Sequence, residues 1–339
     1  MDTKYCLSVL QKLIEIDSPS GFSDTASDFL MQELTDLGFC PAKTRKGGVV
    51  CCLGGDGDGL MLMAHVDTLG GIVSSIKGNG RLQISAIGGL RAENCEAENC
   101  RIYTRFGGTY SGTLQLCNAS VHVNSKYGDM PRNFETTEIV IDEPINSASE
   151  VRALGIEIGD FVCFDPRFTV TDSGYIKSRF LDDKLSAAML LTYAKELKDS
   201  NRTPNRKVYL HFTVYEEVGH GASASVPEDV TEIISVDMGC VGDGLTCTER
   251  EVSICAKDSG GPYDYSVTTA LVKAAKKADA KYAVDVYPRY GSDVEASLRA
   301  GYDVRHGLIG AGVYASHGYE RSHIEGVENT LKLLEAYTL

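Results

Sequence analysis

Between Gly70 and Cys163 the texture of the sequence changes, and that change restricts the fold more than any other feature. Glycines at 70, 71, 78, 80, 88, 89, 107, 108 and 112 punctuate short alternating segments such as Arg101-Ile102-Tyr103-Thr104 and Glu138-Ile139-Val140-Ile141. Alternation of that kind, broken repeatedly by glycine, is an all-β signature. Ser149-Glu150-Val151-Arg152-Ala153-Leu154-Gly155 reads as one short helix inside it, and Gly159-Asp160-Phe161-Val162 returns to strand. A chain of 339 residues is long for a single core. The expected fold is therefore α/β, a mixed sheet flanked by helices over residues 1–69 and 164–339, interrupted by a small β-barrel-like domain over 70–163.

The flanks carry the helix and strand signals. Leu7, Leu10, Leu13 and Ile14 fall at helical spacing before Ser18-Pro19-Ser20-Gly21, and a second helix runs from Ser23 or Asp24 to Leu37-Gly38. Val49–Leu53 and Leu60–Val66 read as core strands, the run Val208–Phe212 as another, and Glu232–Val236 as a fourth. A helix spans Leu185–Leu197, a strand ends near Ile309, and a closing helix covers roughly Glu325–Tyr337.

Composition excludes several classes of function. A net charge of -14 without a basic cluster argues against nucleic acid. No apolar run reaches membrane-spanning length, and Met1-Asp2-Thr3-Lys4-Tyr5-Cys6 lacks the features of a secretory leader, so the cytoplasm is expected. Eleven cysteines, an odd number without zinc-type Cys-x-x-Cys spacing, fit free thiols in a reducing compartment.

Chemistry gathers at the ends of the apolar segments. The run Val208–Phe212 leads into Glu216-Glu217-Val218-Gly219. Successive side chains of a strand leave opposite faces, so one glutamate can bind a cation while the other faces a different part of a cleft. Taken alone, the pair favours a solvated acidic turn over a site. His65 and Asp67 end another strand two residues apart, which suits a metal ligand and the group that orients it. Asp182 lies just before a helix, where it could equally be a cap, and Asp237 follows a short apolar strand. With a late histidine these make a mixed nitrogen and oxygen set without thiols, the donor chemistry of a two-zinc hydrolase.

In order and spacing, His65-Val66-Asp67, Leu181-Asp182-Asp183-Lys184, Glu216-Glu217-Val218-Gly219, Val236-Asp237-Met238-Gly239, Gly291-Ser292-Asp293 and Ser316-His317 resemble the cytosolic dinuclear metallo-aminopeptidases of the glutamyl-aminopeptidase and deblocking-aminopeptidase type, which include the tetrahedral aminopeptidases. The resemblance covers nearly the whole chain. It implies a zinc-peptidase-like catalytic domain with an inserted β domain that assembles dimers into tetrahedral dodecamers. It further implies that Asp182 bridges two metals, that His65 and Asp237 complete one site and Glu217 and His317 the other, that Asp67 orients His65, and that Glu216 is the general base. The implied cofactors are two divalent ions, zinc first with cobalt or manganese as alternatives, and the implied substrates are peptides with a free N-terminus.

The chain departs from the commoner family pattern at the last ligand, where His317-Gly318-Tyr319-Glu320-Arg321-Ser322-His323 offers two histidines. Aligning the strand that ends near Ile309-Gly310 selects His317 and leaves His323 further on, near substrate. Three other readings compete. A di-zinc N-acyl amino acid deacylase or carboxypeptidase uses a similar ligand set. A glycosidase would use paired carboxylates but leaves His65, Asp182 and Asp237 without work. A non-catalytic assembly protein would have lost motifs that are intact here.

Overall fold

The computed structural model describes residues 2–339. The chain divides into two units, Met1–Thr68 with Arg167–Leu339, and Leu69–Pro166. The first is built on a twelve-stranded mixed sheet. Its centre is four neighbouring parallel strands, Lys207–Thr213, Gly59–His65, Val230–Val236 and Arg305–Tyr314. Strands covered on both faces need near-continuous apolar runs, and Leu60-Met61-Leu62-Met63-Ala64 supplies one that is buried throughout. Val49–Gly54 pairs antiparallel on one side, and Val252–Lys257 and Glu320–His323 pair antiparallel with Arg305–Tyr314 on the other. Register sets Thr213 opposite His65 and Val236 opposite Ile309, so the carboxyl ends of the parallel strands share one edge, the usual ligand-binding edge of such sheets.

Sequence reasoning stopped the last parallel strand at Ile309, ahead of Gly310-Ala311-Gly312. It continues to Tyr314. The glycines are there for close approach rather than for turning: a Cβ on Gly310 would lie 1.5 Å from the carbonyl oxygen of Asp237. The strand can thus run past Asp237 while pairing with Gly239–Val241 and Val252–Lys257.

Helix Thr3–Glu15 buries Cys6, Val9, Leu10, Leu13 and Ile14, and Asp2 caps it by accepting from the Tyr5 N–H. Its last turn is tied by Lys184, whose buried Nζ donates to the carbonyls of Leu13 (2.9 Å) and Ile16 (2.6 Å). Lys184 belongs to the segment Leu181–Asp199, which is regularly helical only beyond Asp182 and Asp183, close to where its apolar pattern starts, and is buried almost all round. Such a helix needs apolar residues on every face, which Ala187-Ala188-Met189-Leu190-Leu191 provides.

The second unit is a closed barrel of Gly70–Ile76, Leu82–Ile87, Thr137–Ile141, Thr109–Leu116, Asn99–Tyr103 and Phe161–Phe164, each antiparallel to the next around the ring. Closure leaves no free strand edge. Val73, Ile84, Ile102, Leu114, Ile139 and Val162 are buried along its strands. Gly71 is needed because a Cβ there would come 2.8 Å from Ile84 Cδ1. A short helix, Ala148–Ala153, is capped by Ser147. The unit reaches Pro166 because Asp165 still belongs to it, donating from its N–H to the Asn99 carbonyl (3.0 Å) and pairing with Arg101.

Candidate metal centre

The strand edge assembles the predicted residues. His65 is the last residue of its strand, Asp237 follows Val236, and Glu216 and Glu217 lie just beyond Thr213. Asp182 enters from the start of the long helix, after Phe180 turns the chain with φ +67°. His317 sits in the turn between Arg305–Tyr314 and Glu320–His323, itself at φ +62°. Tyr215, immediately before the glutamates, is at φ +71°. A left-handed residue other than glycine costs about 1–3 kcal/mol; Phe180 and Tyr215 stand beside the cluster and His317 belongs to it.

Asp182 is the hub. Its Oδ1 lies 3.2 Å from Nε2 of His65, and its Oδ2 lies 3.5 Å from Nε2 of His317. Nε2 of His317 is also 3.7 Å from Glu217, and Nε2 of His65 is 3.7 Å from Glu216. One donor atom each from His65, Asp182 and Glu217 lies within 4.8 Å of the others, and the same holds for His65, Asp183 and Asp237. His323 lies elsewhere: Nε2 is 2.9 Å from the Ser173 carbonyl, and Nδ1 accepts from the Glu325 N–H to cap the last helix.

Two local expectations change. Glu216 and Glu217 do not diverge by strand alternation, because the strand ends at Thr213 and Glu216–Gly219 is a turn closed by Gly219 N–H donating to the Glu216 carbonyl. The turn itself sends Glu216 toward His65 and Glu217 toward His317. Asp67 also lies beyond its strand, and the atom nearest Nδ1 of His65 is the Asp67 carbonyl oxygen at 2.9 Å, with the carboxylate at 3.7 Å. A carbonyl only accepts, so Nδ1 carries a proton, and Nε2 is the ring nitrogen that faces Asp182. The Asp67 carboxylate instead accepts from the Ser20 hydroxyl (2.5 Å) and the Glu216 N–H (3.1 Å).

Burial and crowding shape the electrostatics. Burial, with Asp182 and Glu216 nearby, holds the Glu217 carboxyl well above the ordinary range, and burial with Asp237 does the same to Glu216. Asp237 is pushed up to about 7 by burial and Asp182. Asp182 goes the other way: hydrogen bonds from His317 and His65 outweigh its burial and hold it below the usual carboxylate range. Buried carboxylates this crowded need cationic charge to ionise together. With imidazole nitrogens, carboxylate oxygens and no thiol, the donor set fits divalent metal ions.

Sequence reasoning assigned no role to four contributors. Ser20 holds Asp67, and Asp183 accepts from the His65 N–H at 3.2 Å. Glu320 accepts from the N–H groups of both Asp182 (3.1 Å) and His317 (3.0 Å). Asp293 accepts from the Thr213 hydroxyl and from the Ala222 N–H, tying down the loop after the glutamates. Asp183 and Asp293 stand in stretches that carried the family resemblance, whereas Ser20 and Glu320 had no local signal.

A model of the M42 glutamyl aminopeptidase family matches residues 47–333. This chain belongs to that family. As an M42 member it is a metal-dependent aminopeptidase, which sets the glycosidase and assembly-protein readings aside. It is 41% identical over 333 residues to YhfE of Bacillus subtilis (strain 168), a protein designated an aminopeptidase, covering 98% of this chain and 96% of that one. Its fold matches aminopeptidase APDkam598 from the archaeon Desulfurococcus kamchatkensis with a TM-score of 0.88 at 23% identity, over 98% and 94% of the two chains. It likewise matches the Pyrococcus horikoshii TET1 peptidase, which can assemble into a tetrahedron or a large octahedral shell, with a TM-score of 0.87 at 22% identity over 98% and 99%. Among the described residues of this M42 chain, no helix is long and apolar enough to cross a membrane.

Proposed function

We propose that this M42 peptidase removes residues from peptides with a free N-terminus using two divalent ions, zinc first, held by His65, Asp182, Glu217, Asp237 and His317. The observation that carries this reading is that the two oxygens of Asp182 face two different histidines, at 3.2 and 3.5 Å. Ions held there would make the scissile carbonyl more electrophilic and the attacking water more acidic. Glu216, buried beside His65, takes the water's proton and passes it to the leaving amine. Asp67 acts on both partners: its carbonyl fixes the His65 ring and its carboxylate fixes the Glu216 backbone.

The test combines metal analysis with an aminoacyl-coumarin panel and its N-acetylated counterparts. Up to two ions per chain, loss of activity on chelation and resistance of the acetylated substrates are expected. Full activity in metal-free protein overturns the metal reading, and preference for acetylated substrates replaces the aminopeptidase with a deacylase.

The same proposal includes a homo-oligomer, twelve subunits by analogy with tetrahedral assembly, and a cytoplasmic location. Phe106, Val121, Val123 and Ile158, exposed on the barrel unit, support a role for the insertion in assembly. Eleven free cysteines support a reducing compartment. A monomer in light scattering at micromolar concentration would contradict the oligomer.

A further inference from the structure

The two donors that Asp182 and His317 contribute come from unrelated parts of the chain, and neither backbone is held by regular secondary structure. Asp182 has φ −76° and ψ 101°, outside the helical region although it lies in the first turn of its helix. His317 is left-handed, and its side chain is 38% exposed, against 2% for His65. Packing alone therefore fixes His317 less firmly than any other member of the cluster. A third residue bridges them. Oε2 of Glu320 accepts from the Asp182 N–H at 3.1 Å, Oε1 accepts from the His317 N–H at 3.0 Å, and the residue is 2% exposed. Glu320 is itself fixed by the sheet, standing opposite Ser178 in the pair of Tyr175–Ser178 with Glu320–His323. One strand pair thus delivers both the lead-in to Asp182 and the carboxylate that holds it.

We propose that Glu320 is a positioning residue whose two carboxylate oxygens set the spacing between Asp182 and His317, so that both donors face one metal centre. This rests on the metal-centre reading above. The geometry calls for a carboxyl group: two N–H donors converge on one side chain whose two oxygens each accept one of them. A glutamine of the same shape satisfies one N–H and points its amide hydrogens at the other. The competing role is a plain one, an anion capping the free N–H groups at a helix start. It predicts lost stability without a specific change at the metals.

The experiment titrates metal-free wild type, Glu320→Gln and Glu320→Asp with zinc and with cobalt, reading affinity by chelator competition and ligand geometry from the cobalt absorption spectrum. Thermal unfolding of each metal-free protein is measured beside it. Glu320→Gln is expected to bind about 10–100-fold more weakly, with an altered cobalt spectrum and near-wild-type melting of the metal-free protein. Glu320→Asp keeps the charge but is one methylene too short to reach both N–H groups, so a similar loss is expected, and it decides the matter if the glutamine variant does not fold. Wild-type affinity and spectrum in either folded variant overturn the proposal, as does a fall in metal-free melting that accounts for the whole loss. A wild type that takes up neither metal overturns the metal-centre reading and this role together, whereas normal uptake by both wild type and variants overturns this role alone.

Discussion

Nδ1 of His65 is held by the backbone carbonyl of Asp67, 2.9 Å away, while the Asp67 carboxylate turns to Ser20 and the Glu216 N–H. The ring is therefore oriented by main chain, and removing the carboxylate's charge leaves that anchor in place. Asp67→Ala is expected to retain most of its metal and to lose activity by about 10–100-fold, because the Glu216 N–H loses its acceptor. Metal content measured beside kcat checks this; metal loss in proportion to activity would return the ring-orienting role to the carboxylate.

The adjacent glutamates face different histidines, so they should fail differently. Glu216→Gln keeps shape but takes no proton, and kcat is expected to fall by about 10²–10⁴-fold with both metals retained. Glu217→Gln should lose metal first and activity in consequence. The reverse pattern would exchange the two assignments.

His317 and His323 separate in the same way. His317→Ala is expected to lower metal occupancy. His323→Ala removes the group that accepts from the Glu325 N–H and touches Ser173. It should cost about 0.5–2 kcal/mol of stability, as lost helix caps do, with metal content unchanged. Atomic absorption and urea unfolding on the two variants distinguish these outcomes.

A pH effect is expected from His211, which is buried on strand Lys207–Thr213 with Nδ1 lacking a hydrogen-bond partner. Burial, aided by the positive charge of Lys46, lowers its imidazole from 6.5 to about 4. Between those values the unfolded chain binds a proton that the folded chain does not, so stability falls as the pH drops through that window, by up to about 3 kcal/mol. His211→Phe should flatten that part of the acid limb. Urea unfolding of both proteins from about pH 4.5 to 7.5 tests this, and identical acid limbs would contradict it.

What the sequence determined by itself was set by local pattern. The glycine-punctuated stretch from Gly70 and the apolar runs Leu60–Val66, Val208–Phe212 and Glu232–Val236 are patterns a few residues long, and they mark the inserted barrel and the central strands before any contact is known. The donor types were legible too, because nitrogen and oxygen groups without a thiol restrict the chemistry wherever they meet. Tertiary structure decided the rest. Parallel register brings Thr213 beside His65, and a turn rather than strand alternation aims Glu216 and Glu217 apart. His317 joins Asp182 while His323 caps a helix, although both histidines lie in one short stretch. Glu320 carried no signal because its role is two hydrogen bonds to main chain, and backbone N–H groups are the same at every residue except proline; only the fold determines which of them are left pointing at a carboxylate.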